Sequence, residues 1–215
     1  MSRNLTEMVF ILDKSGSMYG MTEDTIGGFN AMIAKQKAEE GEALVSTVLF
    51  CDESIVLHDR VPVEKVPEMT EADYRASGCT ALLDALGDAI HHIRNVHKYI
   101  REEDRPDKTI FVITTDGLEN ASRRYDYDAV QKLIGRQKEC GWEFLFLAAN
   151  INAVETAASV GIGPDRAVDF HNDSIGVRKN YACVSDTISS YRACGEVEES
   201  WSAEIKKDFK SRRRR

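Results

Sequence analysis

Residues 8–17 read MVFILDKSGS and hold the two features that decide the fold. Met8 to Asp13 is a continuous apolar run that ends in a carboxylate, and a run of this length is typical of a strand buried on both faces. After the Ser-Gly-Ser turn the pattern becomes helical, because Ile26, Phe29 and Ile33 recur at three- and four-residue spacing. A buried strand followed by an amphipathic helix indicates the first unit of a parallel α/β sheet.

The rest of the chain repeats this alternation. Two strand-like runs, 43–50 and 54–63, are separated by three residues, too few for a parallel crossover, so we expect an antiparallel hairpin. Further strands are predicted at 108–115, 142–149 and 166–170, and further helices at 81–100, 126–139, 153–160 and around 181–191. The pattern predicts a doubly wound, Rossmann-like α/β fold with a mainly parallel six-stranded sheet, one antiparallel edge strand and helices on both faces.

Composition excludes several classes of protein. The chain has 215 residues, 42% of them hydrophobic and 30% charged, which indicates one ordinary globular domain, predicted over 1–195. No apolar run approaches the ~20 residues that a membrane helix requires and no secretory leader is recognisable, so we expect a cytoplasmic protein without a membrane span. Five dispersed cysteines without a Cys-x-x-Cys pair argue against a disulfide framework and a structural zinc.

Charge is unevenly distributed along the chain. The last ten residues, Lys206 to Arg215, hold seven Lys or Arg and one Asp, and because the whole chain carries −8, the other 205 residues carry −14. An acidic body repels nucleic acid, so we expect no nucleic-acid partner. Residues 196–215 are predicted to form a charged, basic tail, and the sequence leaves open whether Arg212 to Arg215 have a function.

Oxygen-bearing side chains follow two of the predicted strands and open one helix. These residues are Asp13, Ser15 and Ser17 after the first strand, Asp116 after strand 108–115, and Thr80 at the start of helix 81–100. Ligands of an open parallel sheet bind beyond the carboxyl ends of its strands, where we expect these side chains to meet. Two carboxylates and three hydroxyls suit a hard divalent cation, Mg²⁺ above all, and leave a coordination position open to an outside carboxylate.

The motifs Asp13-x-Ser-x-Ser, Thr80 and Thr115-Asp116-Gly117 resemble, in order and placement, the metal-ion-dependent adhesion site of the von Willebrand factor type A (vWA) domain. The resemblance covers residues 8 to about 194 and is greatest to small stand-alone bacterial or phage members, including those associated with tellurium-resistance clusters. It implies that Asp13, Ser15, Ser17, Thr80 and Asp116 hold Mg²⁺, or alternatively Mn²⁺ or Ca²⁺, directly or through water. It also implies a protein partner that offers an Asp or Glu to the metal.

Three alternatives remain open at this point. The Asp13 loop could be a polar turn that caps a helix, with Thr80 as a second N-cap. The protein could be a magnesium-dependent phosphatase or hydrolase with Asp13 as nucleophile, but it has no Gly-x-Ser-x-Gly elbow and no Walker motif, and we expect no enzymatic activity. It could also be a regulatory subunit whose basic tail folds back on the acidic body.

Overall fold

A six-stranded sheet forms the centre of the computed structural model, which describes residues 4–212. Its strands are β1 (Leu5–Asp13), β2 (Glu42–Phe50), β3 (Ser54–Pro62), β4 (Lys108–Thr115), β5 (Glu143–Ala148) and β6 (Ala167–Asp169). Their order is β3-β2-β1-β4-β5-β6, and every neighbouring pair is parallel except the β2–β3 hairpin at the edge. The structure confirms the predicted fold class.

The helices cover both faces of this sheet. They are α1 (Thr22–Ala38), α2 (Leu82–Tyr99), α3 (Tyr127–Glu139), α4 (Ala153–Ser159), α5 (Ser174–Cys194) and α6 (Ala203–Arg212). Because side chains alternate along a strand, Met8 and Phe10 of β1 pack towards α1, α5 and α6, whereas Val9 and Ile11 pack towards α2, α3 and α4. No helix within residues 4–212 has the length and apolar character needed to cross a bilayer.

The segment predicted as a charged tail is folded against the body over most of its length. Val197, Trp201 and Ile205 are buried in the core on the α1 and α5 side, and the Trp201 indole nitrogen donates to the carbonyl oxygen of Asp165 at 2.8 Å. Residues 197–212 therefore pack on the body: Val197 precedes the helical segment, Trp201 lies in the 3-10 helix Glu199–Ser202, and Ile205 is the buried apolar side chain of α6. Residues 213–215, three of the four terminal arginines, lie outside the described residues.

His58, buried on β3, is expected to make the stability of the fold depend on pH. Its Nδ1 lies 3.0 Å from Thr47 Oγ1, and its ring stacks on Phe29. Burial lowers the pKa of His58 below its ordinary value of 6.5, so the folded state favours the neutral imidazole. The free energy of unfolding should then fall, through this residue, by at most about 1.4 kcal/mol as the pH drops from 7.5 to 5.5.

Urea unfolding at the two pH values measures this effect. His58→Gln should remove this part of the acid-induced loss, whereas the matched variant of an exposed histidine, His92→Gln, should retain it. Equal losses in wild type and both variants would contradict the assignment to His58.

Candidate metal centre

Three loops meet at the carboxyl ends of β1 and β4, and backbone hydrogen bonds join them. The Gly16 amide donates to the Gly78 carbonyl at 3.0 Å, and the Ser77 amide donates to the Lys14 carbonyl at 2.8 Å. Asn120, in the loop after β4, accepts a hydrogen bond from the Thr80 backbone amide through its side-chain oxygen. The backbone amide of Asn120 donates to the Thr80 carbonyl. These contacts hold the β1 loop, the loop before α2 and the β4 loop side by side.

Four of the five predicted ligands lie in one hydrogen-bonded network. The Ser17 hydroxyl donates to Asp116 Oδ1 at 2.5 Å and lies 3.1 Å from the Ser15 hydroxyl. Asp13 Oδ1 accepts from the Ser15 amide at 2.7 Å, while its Oδ2 accepts from the Thr115 hydroxyl at 2.6 Å. The sequence-predicted oxygens therefore converge, as expected for strand ends at the same edge of a sheet.

Thr80, the fifth predicted ligand, lies beside this network. Its hydroxyl oxygen is 3.2 Å from the position that a β-carbon on Gly117 would occupy. Gly117 directly follows Asp116, so the absence of a side chain there keeps the space between the Thr80 hydroxyl and the Asp116 loop open. Thr80 is itself buried, with 4% of its surface exposed.

The donor set fits a small, hard divalent cation. Adjacent ligands of an octahedral ion with bonds of 2.0–2.1 Å are separated by about 2.9 Å, and the Ser17–Asp116 and Ser15–Ser17 oxygen pairs, at 2.5 and 3.1 Å, bracket that value. Within the described part of the chain, no group of three or more His, Cys, Asp or Glu side chains is arranged to hold a metal. The carboxylate and hydroxyl oxygens at this edge are ligands of the kind that Mg²⁺ prefers. The hydroxyls would take coordination positions that carboxylates occupy in other metal sites.

Two buried carboxylates of like charge make this edge electrostatically receptive to a cation. Asp13 and Asp116 are 2% and 3% exposed. Burial raises the pKa of Asp116, and the neighbouring charge of Asp13 raises it further, while hydrogen bonds from Ser17 and Asn172 oppose the rise. A divalent ion would offset both the burial cost and the mutual repulsion.

The capping interpretation of the same residues is wrong. Helix α1 follows Met21 and helix α2 follows Ala81, and neither residue makes a side-chain cap hydrogen bond. Ser15 does precede a short 3-10 helix, Gly16–Met21, but its side chain makes no cap hydrogen bond. The hydroxyls of Ser15, Ser17 and Thr80 therefore do not cap the N-terminus of a helix.

Sequence reasoning missed Asn172, which follows β6. Its side-chain amide donates to Asp116 Oδ2 at 2.8 Å, and its own Oδ1 is buried without a hydrogen-bond partner among residues 4–212. The available signal was a polar residue just beyond the last strand, at the same edge as Asp13 and Asp116. That signal was weak because β6 is only three residues long, so its end is poorly marked in the sequence.

Comparison with known proteins shows the fold. No protein-family model and no curated protein matches the chain. Among solved structures, it is similar to a von Willebrand factor type A protein from Catenulispora acidiphila, at 16% identity and TM-score 0.55, over 85% of this chain and 42% of that one. It is also similar to the manganese-loaded TRAP protein of Plasmodium vivax, at 15% identity and TM-score 0.57, over 84% of this chain and 74% of that one.

A third similar structure is the pilus adhesin SpaC from Lactobacillus rhamnosus GG, at 12% identity and TM-score 0.65, over 86% of this chain and 30% of that one. The chain thus spans less than half the length of the SpaC and Catenulispora structures. Structural similarity at 12–16% identity establishes the fold and does not establish the activity or the partners. The protein has a vWA-like, Rossmann-like α/β fold.

Proposed function

We propose that the protein is a metal-dependent protein-binding module. In this proposal Asp13, Ser15, Ser17, Thr80 and Asp116 hold Mg²⁺, with Mn²⁺ or Ca²⁺ as alternatives, and a partner protein offers an Asp or Glu to the ion. The observation that carries the proposal is the hydrogen-bonded convergence of Asp13, Ser15, Ser17 and Asp116 at the carboxyl edge of the sheet, with Thr80 beside them. Manganese in the similar TRAP structure and the adhesin role of SpaC support it.

Each residue would contribute a distinct part of this function. Asp13 and Asp116 supply two negative charges, which balance a divalent ion without adding excess charge, and the hydroxyls add neutral ligands. Thr115 and Asn172 each donate to one oxygen of a site carboxylate and so hold its orientation. Bound Mg²⁺ would supply a positive centre with a position open to a carboxylate from outside.

The contacts of Asp13 favour binding over catalysis. A phosphatase would use this carboxylate as a nucleophile, which must approach the substrate directly. Asp13 is instead 2% exposed, and both of its oxygens accept hydrogen bonds, from the Ser15 amide and the Thr115 hydroxyl. We therefore propose no enzymatic activity. We further propose a cytoplasmic protein with a cytoplasmic partner, as the sequence resemblance to small stand-alone bacterial or phage members implies.

Metal titration tests the proposed function. We expect protein stripped with EDTA to release or absorb heat on titration with Mg²⁺ and to melt at a higher temperature in its presence. Binding to the folded state alone stabilises by about 2.7 kcal/mol at a hundredfold excess over Kd. Mn²⁺ and Ca²⁺ titrations establish which ion is preferred. The absence of both heat and a melting shift with all three ions would contradict the proposal.

Asn172 is expected to contribute to metal affinity through Asp116. Replacing a group that orients a metal ligand costs about 10–100-fold in affinity, so Asn172→Ala should weaken Mg²⁺ binding by about tenfold or more in calorimetry. The matched control is Asn152→Ala, which removes an asparagine at the same edge that caps α4 by accepting from the Glu155 amide. The control should lower stability and leave Mg²⁺ affinity unchanged; equal affinity losses would refute a specific role for Asn172.

A further inference from the structure

Strand β3 forms one edge of the sheet, and the backbone of its first half is unpaired on the outer side. β3 pairs with β2 and with no other strand of the sheet formed by residues 4–212. Within the same range, no backbone group of residues 54–57 hydrogen-bonds to an element other than β2. A sheet edge of this kind presents N–H and C=O groups to which a further strand can bond.

The features that protect sheet edges are present in the second half of β3 and absent from the first. Asp59 supplies a charge, Arg60 has a φ of 49° within an irregular stretch of the pairing with β2, and Pro62 cannot donate a hydrogen bond. Residues 54–57 read Ser-Ile-Val-Leu, and residues 54–56 pair with β2 in regular register. A further strand can therefore add along residues 54–57, whereas the rest of β3 opposes it.

Apolar side chains of this stretch are exposed on both faces of the sheet. Ile55 and Val56 are 50% and 57% exposed, although successive residues of a strand point to opposite faces. At the other edge of the sheet, α4 and α6 pack against β6, and its Ala167 and Val168 are buried. The two edges therefore differ: helices cover the β6 edge, and the β3 edge is open to a partner.

A groove of about 250 Å³ lies between this stretch and α2, and Val56 is part of its lining. Val48 and Val56 line the groove on the side of the sheet, and Ala89 and Ile93 line it on the side of α2. The edge strand and the groove thus form one continuous surface. Segments that add to a sheet edge gain affinity from main-chain hydrogen bonds and specificity from side-chain pockets of this kind.

The charges around this surface favour a basic partner. Four acidic residues lie in the hairpin turn or in the lining of the groove, namely Asp52, Glu53, Asp59 and Asp88. His92 Nε2 lies 2.7 Å from Asp59 Oδ1, and Arg124 pairs with Asp88 at 2.6 Å. Neither a lysine nor an arginine of residues 4–212 lines the groove itself. The surface therefore attracts lysine and arginine side chains and repels Asp and Glu.

We propose that residues 54–57 and the adjacent groove bind an extended partner segment, rich in apolar and basic residues, that adds to the sheet as a seventh strand. The backbone of β3 supplies hydrogen bonds, the groove takes an apolar side chain next to Val56, and Asp59 and Asp88 select a basic side chain. This surface includes no residue of the candidate metal centre, so the inference goes beyond the proposed metal-dependent function and does not rest on it.

Binding of three fluorescent seven-residue peptides tests this inference, with the full chain in EDTA so that no divalent ion contributes. The first peptide has three central valines flanked by two lysines on each side. The second has glutamates in place of the lysines, and the third is the first with every backbone amide N-methylated. We expect the lysine peptide to bind at least about tenfold more tightly than either of the others. It should also slow amide hydrogen exchange at residues 54–57.

Variants test the individual parts of the surface. Val56→Lys places a positive charge at the groove and should weaken binding of the lysine peptide by at least about tenfold. The matched control is Tyr99→Lys, which makes the same change at an exposed apolar residue at the end of α2 and should bind the peptide as the wild type does. Asp59→Asn should weaken binding and make it less sensitive to salt, because one attractive charge is removed.

Three results would overturn the inference. The first is a lysine peptide that binds no more tightly than the glutamate or the N-methylated peptide. The second is a lysine peptide that binds without slowing exchange at residues 54–57. The third is a chain that self-associates in sedimentation without peptide and protects these same amides, since the occupant would then be a second copy. Because all three experiments are done in EDTA, none of these results bears on the proposed metal-dependent function.

Discussion

Replacing Asp116 with asparagine is expected to lower Mg²⁺ affinity by at least about 100-fold while leaving the metal-free protein as stable as the wild type or more stable. The loss of affinity follows from electrostatics. Two unit charges 4 Å apart interact by about 4 kcal/mol at an effective dielectric constant of 20. A metal ligand lies closer than this to an ion that carries two charges, and each 1.4 kcal/mol of interaction changes the affinity about tenfold.

The retained stability follows from the contacts of Asp116 in the metal-free site. The carboxylate is buried and lies near a second buried carboxylate, Asp13, so its charge opposes folding when no ion is present. The amide of Asp116→Asn can still accept from the Ser17 hydroxyl through its oxygen. The NH₂ group of the new asparagine would face Asn172. If the side-chain amide of Asn172 flips, its unpartnered Oδ1 accepts a hydrogen bond from that NH₂ group. No hydrogen bond need be lost.

Calorimetry with Mg²⁺ and urea unfolding in EDTA measure the two effects separately. The matched control is Asp128→Asn, which removes an exposed carboxylate near the start of α3 and should change neither quantity by much. A metal-free Asp116→Asn protein that is less stable than wild type by more than about 1 kcal/mol would mean that the carboxylate has a structural role. Unchanged Mg²⁺ affinity would remove Asp116 from the proposed ligand set.

Replacing Arg192 with methionine is expected to destabilise the protein by about 2–4 kcal/mol. Arg192 lies in α5 and is only 3% exposed. Its guanidinium donates to the carbonyl oxygens of Gln36, Glu40 and Gly41, at 2.6, 3.3 and 2.9 Å, and to the Gln36 side-chain oxygen at 3.0 Å. The side chain thus satisfies the carboxyl end of α1 and the turn after it, where helices have carbonyls without internal partners.

Methionine preserves most of the side-chain length and removes the donors, so the two Gln36 oxygens would be left buried and without the guanidinium, while the carbonyls of Glu40 and Gly41, which are exposed residues, would lose the same donor. The matched control is Arg178→Met in the same helix, whose side chain is 74% exposed and pairs with Asp24 at the surface. An exposed ion pair contributes between 0 and about 1 kcal/mol, so the control should be nearly as stable as wild type. Similar free energies of unfolding for the two variants would show that the Arg192 contacts do not hold α1 to α5.

Much of the sheet could be predicted from the sequence because its signals are local. β4 lies over the predicted residues 108–115, since an uninterrupted apolar run there ends at Asp116 and Gly117. The antiparallel hairpin followed from three residues between two strand-like runs, a gap that no parallel crossover can span. The convergence of Asp13, Ser15, Ser17 and Asp116 was predictable for a related reason, because parallel topology brings the ends of β1 and β4 to one edge.

Other features depended on packing between parts of the chain far apart in sequence. The segment 197–212 has the composition of a solvated tail, and it folds because Val197, Trp201 and Ile205 have a core to enter. Arg192 resembles any helical arginine until α5 packs on α1 and places it against carbonyls about 150 residues away. Asn172 likewise acquires its role only when β6 aligns beside β5 and brings the loop after β6 to Asp116.

By itself, the sequence determined the α/β alternation, the single antiparallel edge strand and the set of oxygens at one edge of the sheet. Periodicity and strand ends carry that information within windows of a few residues. Only the tertiary structure decided the docking of α6, the partners of Arg192 and the hydrogen bond from Asn172 to Asp116. These features are contacts and exposures created when helices pack on a twisted sheet, and no local pattern specifies which distant groups then become neighbours.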